Sequence, residues 1–231
     1  MHKSLKKILS NAFSKSFNKH YRPISEPSDF NIMTLGCSNA YGAGLKQNEV
    51  FDYIIKSEIE KDYNIKVSNW NLGSPGKGPD HCKIIFNEWA PKLKPNIAIF
   101  WWPNFSRYFM FNKITNNFDD IKGKDDVVTN SYIKYISTDE QDIYNWYYNC
   151  YLLVENISKA MGIKLLHIRP LYNNLLDDYA EELNFLPDGI MTFIDTVSDT
   201  DKHPGKKSHE QSGKNIYKFL KDKGYFDEIC I

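Results

Sequence analysis

The chain has 231 residues, enough for one well-buried α/β domain and short for two, since domains usually run to about 100–200 residues. Its 29 Lys and Arg balance 29 Asp and Glu, so no net field draws it to nucleic acid or to an anionic membrane, and any charge-driven partner has to be read locally. Cys37, Cys82, Cys150 and Cys230 are scattered without a C-x-x-C pair and signal neither a zinc site nor a disulfide framework, which fits a reducing, cytoplasmic compartment. No stretch approaches the ~18–20 apolar residues of a membrane span, and the N-terminus lacks the apolar run and cleavage site of a signal peptide, so a soluble protein is expected.

Residues 1–22 carry Lys3, Lys6, Lys7, Lys15, Lys19 and Arg22 without an acid, while Leu5, Ile8, Leu9, Phe13 and Phe17 recur near helical spacing. This predicts a basic amphipathic helix, which either packs on the domain's flank or meets an anionic membrane surface or a partner. Pro23 to Pro27 ends it as a linker, so residues 1–28 precede a domain at 29–231. From Phe30 strands and helices alternate: a strand at Phe30–Leu35, a helix at Glu49–Tyr63, a strand at Lys66–Leu72, a helix at Asp80–Leu93 and a strand at Asn96–Trp102. Residues 103–138 lose the rhythm and read as an insertion, whose length favours a functional one. A long aromatic-rich helix at Asp139–Met161, a strand at Ile163–Ile168, a fifth strand at Ile190–Ile194 and a closing helix at Ser208–Lys223 complete the pattern. Such a βαβ order predicts a parallel five-stranded sheet in a three-layer α/β/α sandwich.

The turns at the carboxyl ends of the strands are where an open α/β sheet places its ligand crevice. After the first stands Gly36-Cys37-Ser38, with Ser38 at the start of a helix, either a nucleophile beside backbone N–H groups or a simple helix cap. After the second, Gly73, Gly76 and Gly78 fall within six residues. They permit close approach of backbone to substrate, a phosphate loop of poor motif fit, or a plain turn. After the third, Asn104 offers an amide to a developing oxyanion or closes an Asx-turn. Near the C-terminus His203 follows Asp199 and Asp201, and an acid so close can hold the imidazole tautomer of a general base. Trp101, Trp102, Phe105, Tyr108, Phe109 and Phe111 crowd where the insertion leaves the sheet, as a surface for an acyl chain or sugar or as the insertion's own core.

Taken together, over residues 30 to about 222, these segments resemble in order the sequence blocks of the SGNH (GDSL-like) hydrolases, whose flavodoxin-like fold is of the same three-layer kind. The similarity is closer to a branch that reads Gly-Cys-Ser in its first block, Trp with a following Arg in its third, and His-Pro-Gly-x-x-Ser-His in its last. Here these are Gly36-Cys37-Ser38, Trp102 with Arg107, and His203-Pro204-Gly205-Lys206-Lys207-Ser208-His209. The resemblance implies Ser38 as nucleophile, Gly73 and Asn104 as oxyanion donors together with the Ser38 N–H, and His203 as general base. Asp201 or Asp199 would be its orienting acid, with Trp102 and Arg107 at the substrate. The chain departs from the family with Cys37 in place of the usual Asp, Trp102 in place of Gly, Phe105 in place of a final Asp, and Thr200 three residues before His203.

The chemistry so implied is acyl transfer from a carboxylic ester, a small acyl ester or an O-acylated carbohydrate, with no metal or cofactor. Two further expectations share the fold: a non-catalytic binding protein and an acyltransferase acting on a glycan. The oligomeric state is left open by the sequence.

Overall fold

The computed structural model describes residues 28–104, 107–112, 117–122, 140–170 and 183–230. The expected helix and linker within residues 1–27 and much of the expected insertion lie outside them.

Four strands, β1 (Phe30–Gly36), β2 (Val67–Asn71), β3 (Ile97–Trp101) and β6 (Lys164–Ile168), form one parallel sheet in the order β2-β1-β3-β6. Each is almost wholly buried, as strands covered on both faces must be. Between them run α2 (Phe51–Tyr63) after β1, α3 (Pro79–Leu93) after β2 and α4 (Glu140–Met161) before β6, and α5 (Lys206–Asp222) follows. A four-residue helical turn, α1 (Ser38–Tyr41), stands directly after β1.

Strand alternation sorts the core into two halves. Met33, Leu35, Trp70, Ala98 and Phe100 face α3 and α4, meeting Ile85, Phe86, Tyr147 and Val154. Ile32, Val67, Ile97, Ile99 and Trp101 face α2 and α5, meeting Phe51, Ile55, Ile216 and Leu220. The layers are therefore α/β/α, as the strand and helix order requires. Helix limits follow local chemistry. Pro79 opens α3 at its first position, where its missing N–H costs nothing. Asn64 and Lys94 close α2 and α3 in the left-handed region. Gly213 lets α5 approach α2 closely: a Cβ there would sit 2.8 Å from the Phe51 carbonyl oxygen and 2.7 Å from Ile54 Cβ.

Two sequence expectations change. Ile190–Ile194 is no strand; among the described residues the sheet continues beyond β6 only as a single parallel bridge, His167 to Phe185. Pro187 follows, without an N–H to extend the ladder. The next backbone groups turn to α5 instead: Thr192 N–H donates to Ser212 Oγ (3.0 Å), Ile194 N–H to Ser208 Oγ (2.9 Å), and Asn215 Nδ2 to the Ile190 carbonyl (3.0 Å). Within the insertion, β4 (Arg107–Asn112) and β5 (Asn117–Lys122) pair as an antiparallel hairpin, Arg107 opposite Lys122. Among the described residues no helix is long and apolar enough to cross a membrane.

Candidate active site

β1 and β3 are sheet neighbours whose chains leave in opposite directions, toward β2 and toward β6. This is the switch point where a crevice opens beyond the strand ends. Gly36 closes β1 at φ +150, and a Cβ there would collide with the Trp101 carbonyl and with Ala40 Cβ, so only glycine lets the chain turn sharply into α1. Ser38 is thereby the first residue of α1, with its Oγ 4.0 Å from Cys37 Sγ. Tyr41 N–H to Cys37 O (2.9 Å) and Ala43 N–H to Ser38 O (3.0 Å) hold the turn.

The turn after β2 braces this one. Asn71 Nδ2 donates to the Ala40 carbonyl (2.8 Å), Ser74 N–H to the Gly36 carbonyl (2.9 Å), and a Cβ on Gly73 would fall 2.7 Å from Tyr41 N. Gly73, expected as an oxyanion donor, gives its N–H to Asn71 Oδ1 (3.0 Å) and does not line the cleft described below. A carboxamide two residues back captures that N–H locally. Of the following glycines, Gly76 turns at φ +82, and Gly78 lies against the Arg107 carbonyl with no room for a Cβ.

His203 stands on a short hairpin that the sequence reading did not foresee. Thr196 bridges Pro204, Val197 N–H donates to the His203 carbonyl (3.0 Å), and Ser198 N–H to the Asp201 carbonyl (3.2 Å) across the tip. The base of the hairpin is tied to α5 by Asp195, whose carboxylate accepts from Lys207 N–H (3.1 Å), Ser208 N–H (2.8 Å) and Ser208 Oγ (2.7 Å). Its carboxyl is held below the usual range; burial pushes the other way but is outweighed by these hydrogen bonds from Ser208 and Lys207. Gly205 fits under it, since a Cβ would lie 2.6 Å from Asp195 Cγ. Ser208 of the His-Pro-Gly-x-x-Ser-His run is thus a fastener, and His209 another, accepting the Phe51 N–H at Nδ1 (3.2 Å) at the start of α2.

Between the two acids near His203 the geometry chooses one. Asp201 Oδ1 is 2.5 Å from His203 Nδ1 and accepts the His203 backbone N–H at 3.1 Å, whereas Asp199 is exposed at the hairpin tip. The backbone and ring N–H groups of His203 lower the Asp201 carboxyl below its ordinary value. With Nδ1 so engaged, the ring nitrogen left for a substrate proton is Nε2.

One cleft of about 430 Å³ gathers Ser38, Asn104, Arg107, Asp201 and His203, with Trp102 in its wall. Thr200, noted in the sequence only as a departure from the family pattern, lines it too, as do Asn39 and Lys202, which the sequence pattern had not marked. The volume falls in the range of small-ligand sites. Trp102 is not a stacking platform: it is 1% exposed, its ring lies against Phe100 and His167, and its Nε1–H donates to His167 Nδ1 (2.9 Å). Trp101 is likewise core, 2% exposed beside Phe51 and His209. Phe105 and the side chains of Tyr108, Phe109 and Phe111 fall outside the description. Among the described residues no cluster would hold a metal ion. Burial pushes the Cys150 thiol up to about 12 and that of Cys82 well above its ordinary value, so neither supplies a thiolate nucleophile.

No family model and no curated protein matches the sequence. Solved structures do match. A protein assigned to the G-D-S-L lipolytic family from Desulfitobacterium hafniense DCB-2 superposes with a TM-score of 0.53 at 13% identity, over 83% of this chain and 100% of its own. The psychrotrophic esterase EstA from Pseudoalteromonas sp. gives 0.52 at 12%, over 84% and 98%. A two-domain esterase active on acetylated mannans gives 0.53 at 15%, over 94% of this chain and 52% of that one. The chain has the fold of the SGNH hydrolases.

Proposed function

We propose that the protein is a serine hydrolase of carboxylic esters. Ser38 Oγ attacks the ester carbonyl while His203 Nε2 takes its proton, forming a tetrahedral intermediate. Its collapse expels the alcohol, protonated by His203, and leaves an acyl group on Ser38 that water removes by the same relay. Asp201 does not take up the proton; it fixes the ring and stabilises the imidazolium. The Ser38 N–H and the Asn104 amide are the oxyanion donors, and Gly73 would join them only on giving up Asn71. The observation that carries this reading is the Asp201–His203 pair at 2.5 Å on the wall of the cleft that also holds Ser38 and Asn104. The likeness of fold to esterases supports it, and one such neighbour's action on acetylated mannans keeps an O-acylated carbohydrate among the substrates to try.

The test is hydrolysis of p-nitrophenyl acetate and butyrate by the protein and by Ser38→Ala. Release of p-nitrophenol by the first and not by the second supports the assignment; equal turnover by both removes Ser38 from the chemistry.

A further inference from the structure

The cleft holds more positive charge than acyl transfer uses. Arg107 and Lys202 both line it, and the only carboxylate among its described lining residues, Asp201, is already engaged by His203 at Nδ1 and at the backbone N–H. Arg107 Nη1 is buried and has no hydrogen-bond partner among the described residues. A guanidinium cannot shed its proton, so its desolvated N–H groups call for an acceptor from elsewhere. The Arg107 carbonyl packs on Gly78 at the start of α3, where no Cβ fits, so the backbone from which the side chain springs is anchored beside the cleft.

We propose that the ester this cleft takes carries an oxyanionic group, a carboxylate or a phosphate, which Arg107 binds through its planar fork and Lys202 attracts as a second charge. The fork matches both groups bidentately, and Lys acts as a point charge. An acylated acidic sugar or a half-ester of a diacid has this chemistry; a neutral acetylated sugar or a plain fatty acyl ester does not. The inference rests on the esterase reading of the same cleft for where the scissile bond lies.

Three phenyl esters separate the possibilities: phenyl acetate, 3-acetoxybenzoate with the charge on the leaving side, and monophenyl succinate with the charge on the acyl side. One charged ester should exceed phenyl acetate in kcat/KM by about ten-fold or more, and Arg107→Gln should erase that preference. Arg107→Lys and Lys202→Gln should each reduce it, and they serve if Arg107→Gln does not fold. Stronger inhibition by inorganic phosphate than by succinate assigns a phosphate, and the reverse a carboxylate. A preference for phenyl acetate over both charged esters, or one unchanged in these variants, overturns the proposal. If the protein cleaves none of the three, the hydrolase reading fails separately. Calorimetry with succinate and phosphate then decides: binding lost in Arg107→Gln upholds the anion site, and no binding by the unaltered protein overturns it.

Discussion

His203 and His167 each hold a carboxylate at hydrogen-bond distance, Asp201 at 2.5 Å and Glu155 at 3.0 Å, yet the two pairs are committed differently. His167 lies in β6 with its side chain 1% exposed, and both ring nitrogens are spent: Nδ1 accepts the Trp102 Nε1–H, so Nε2 carries the proton toward Glu155. His203 has a side chain 35% exposed, spends Nδ1 on Asp201, and stands on the cleft. Of the two, only His203 keeps a ring nitrogen that its acid and its neighbours do not take. The other pair is a polar strut through the core.

Predictions that break this contrast start with the proposed nucleophile and base. Ser38→Ala and His203→Ala should each lower kcat for an activated ester by about 10⁴–10⁶-fold, read by p-nitrophenol release, with unfolding transitions near that of the unaltered protein. Asp201→Asn should follow at about 10⁴-fold, because the wrong tautomer is then favoured, while Asp199→Asn at the hairpin tip should stay within a few-fold. Comparable losses in both aspartate variants would overturn the choice of Asp201.

The core pair should respond in stability instead. His167→Phe keeps an aromatic ring, a somewhat larger one, but strands the Trp102 N–H, so urea unfolding should show a loss of about 1–3 kcal/mol while turnover of the folded fraction changes little. The pH dependence is the subtlest reading. Burial lowers the His167 pKa, with the Glu155 carboxylate opposing but not cancelling it. The unfolded chain therefore takes up the proton first. The stability contributed by neutral His167 is present above its unfolded value of about 6.5 and is lost as the pH falls from there through the depressed folded value. His167→Phe should flatten that part of the stability profile; an unchanged slope below about pH 6.5 would mean that His167 does not titrate with folding.

Much of the fold was legible because period and burial speak the same language. The parallel strands and the helices after them lie within a few residues of their expected limits, since a buried strand reads as an apolar run and its crossover helix as an amphipathic stretch. Ile190–Ile194 misled for the same reason: its apolar run lies along α5, whose Ser208, Ser212 and Asn215 satisfy the backbone that a fifth strand would have paired. Trp102 also looked like a ligand surface because composition cannot tell an aromatic pillar from an aromatic platform.

The sequence by itself determined the layered architecture and placed Ser38 and His203 in turns whose glycines and prolines dictate a sharp change of direction. Only the tertiary structure put Asp201 rather than Asp199 against His203 Nδ1, bound the Gly73 N–H to Asn71, and brought Arg107 and Lys202 into one cleft with Ser38. Those outcomes depend on distances between segments far apart in the chain, or on competition among neighbouring polar groups for one N–H. Local propensity encodes neither; the closure of the sheet and the packing of α5 on α2 do.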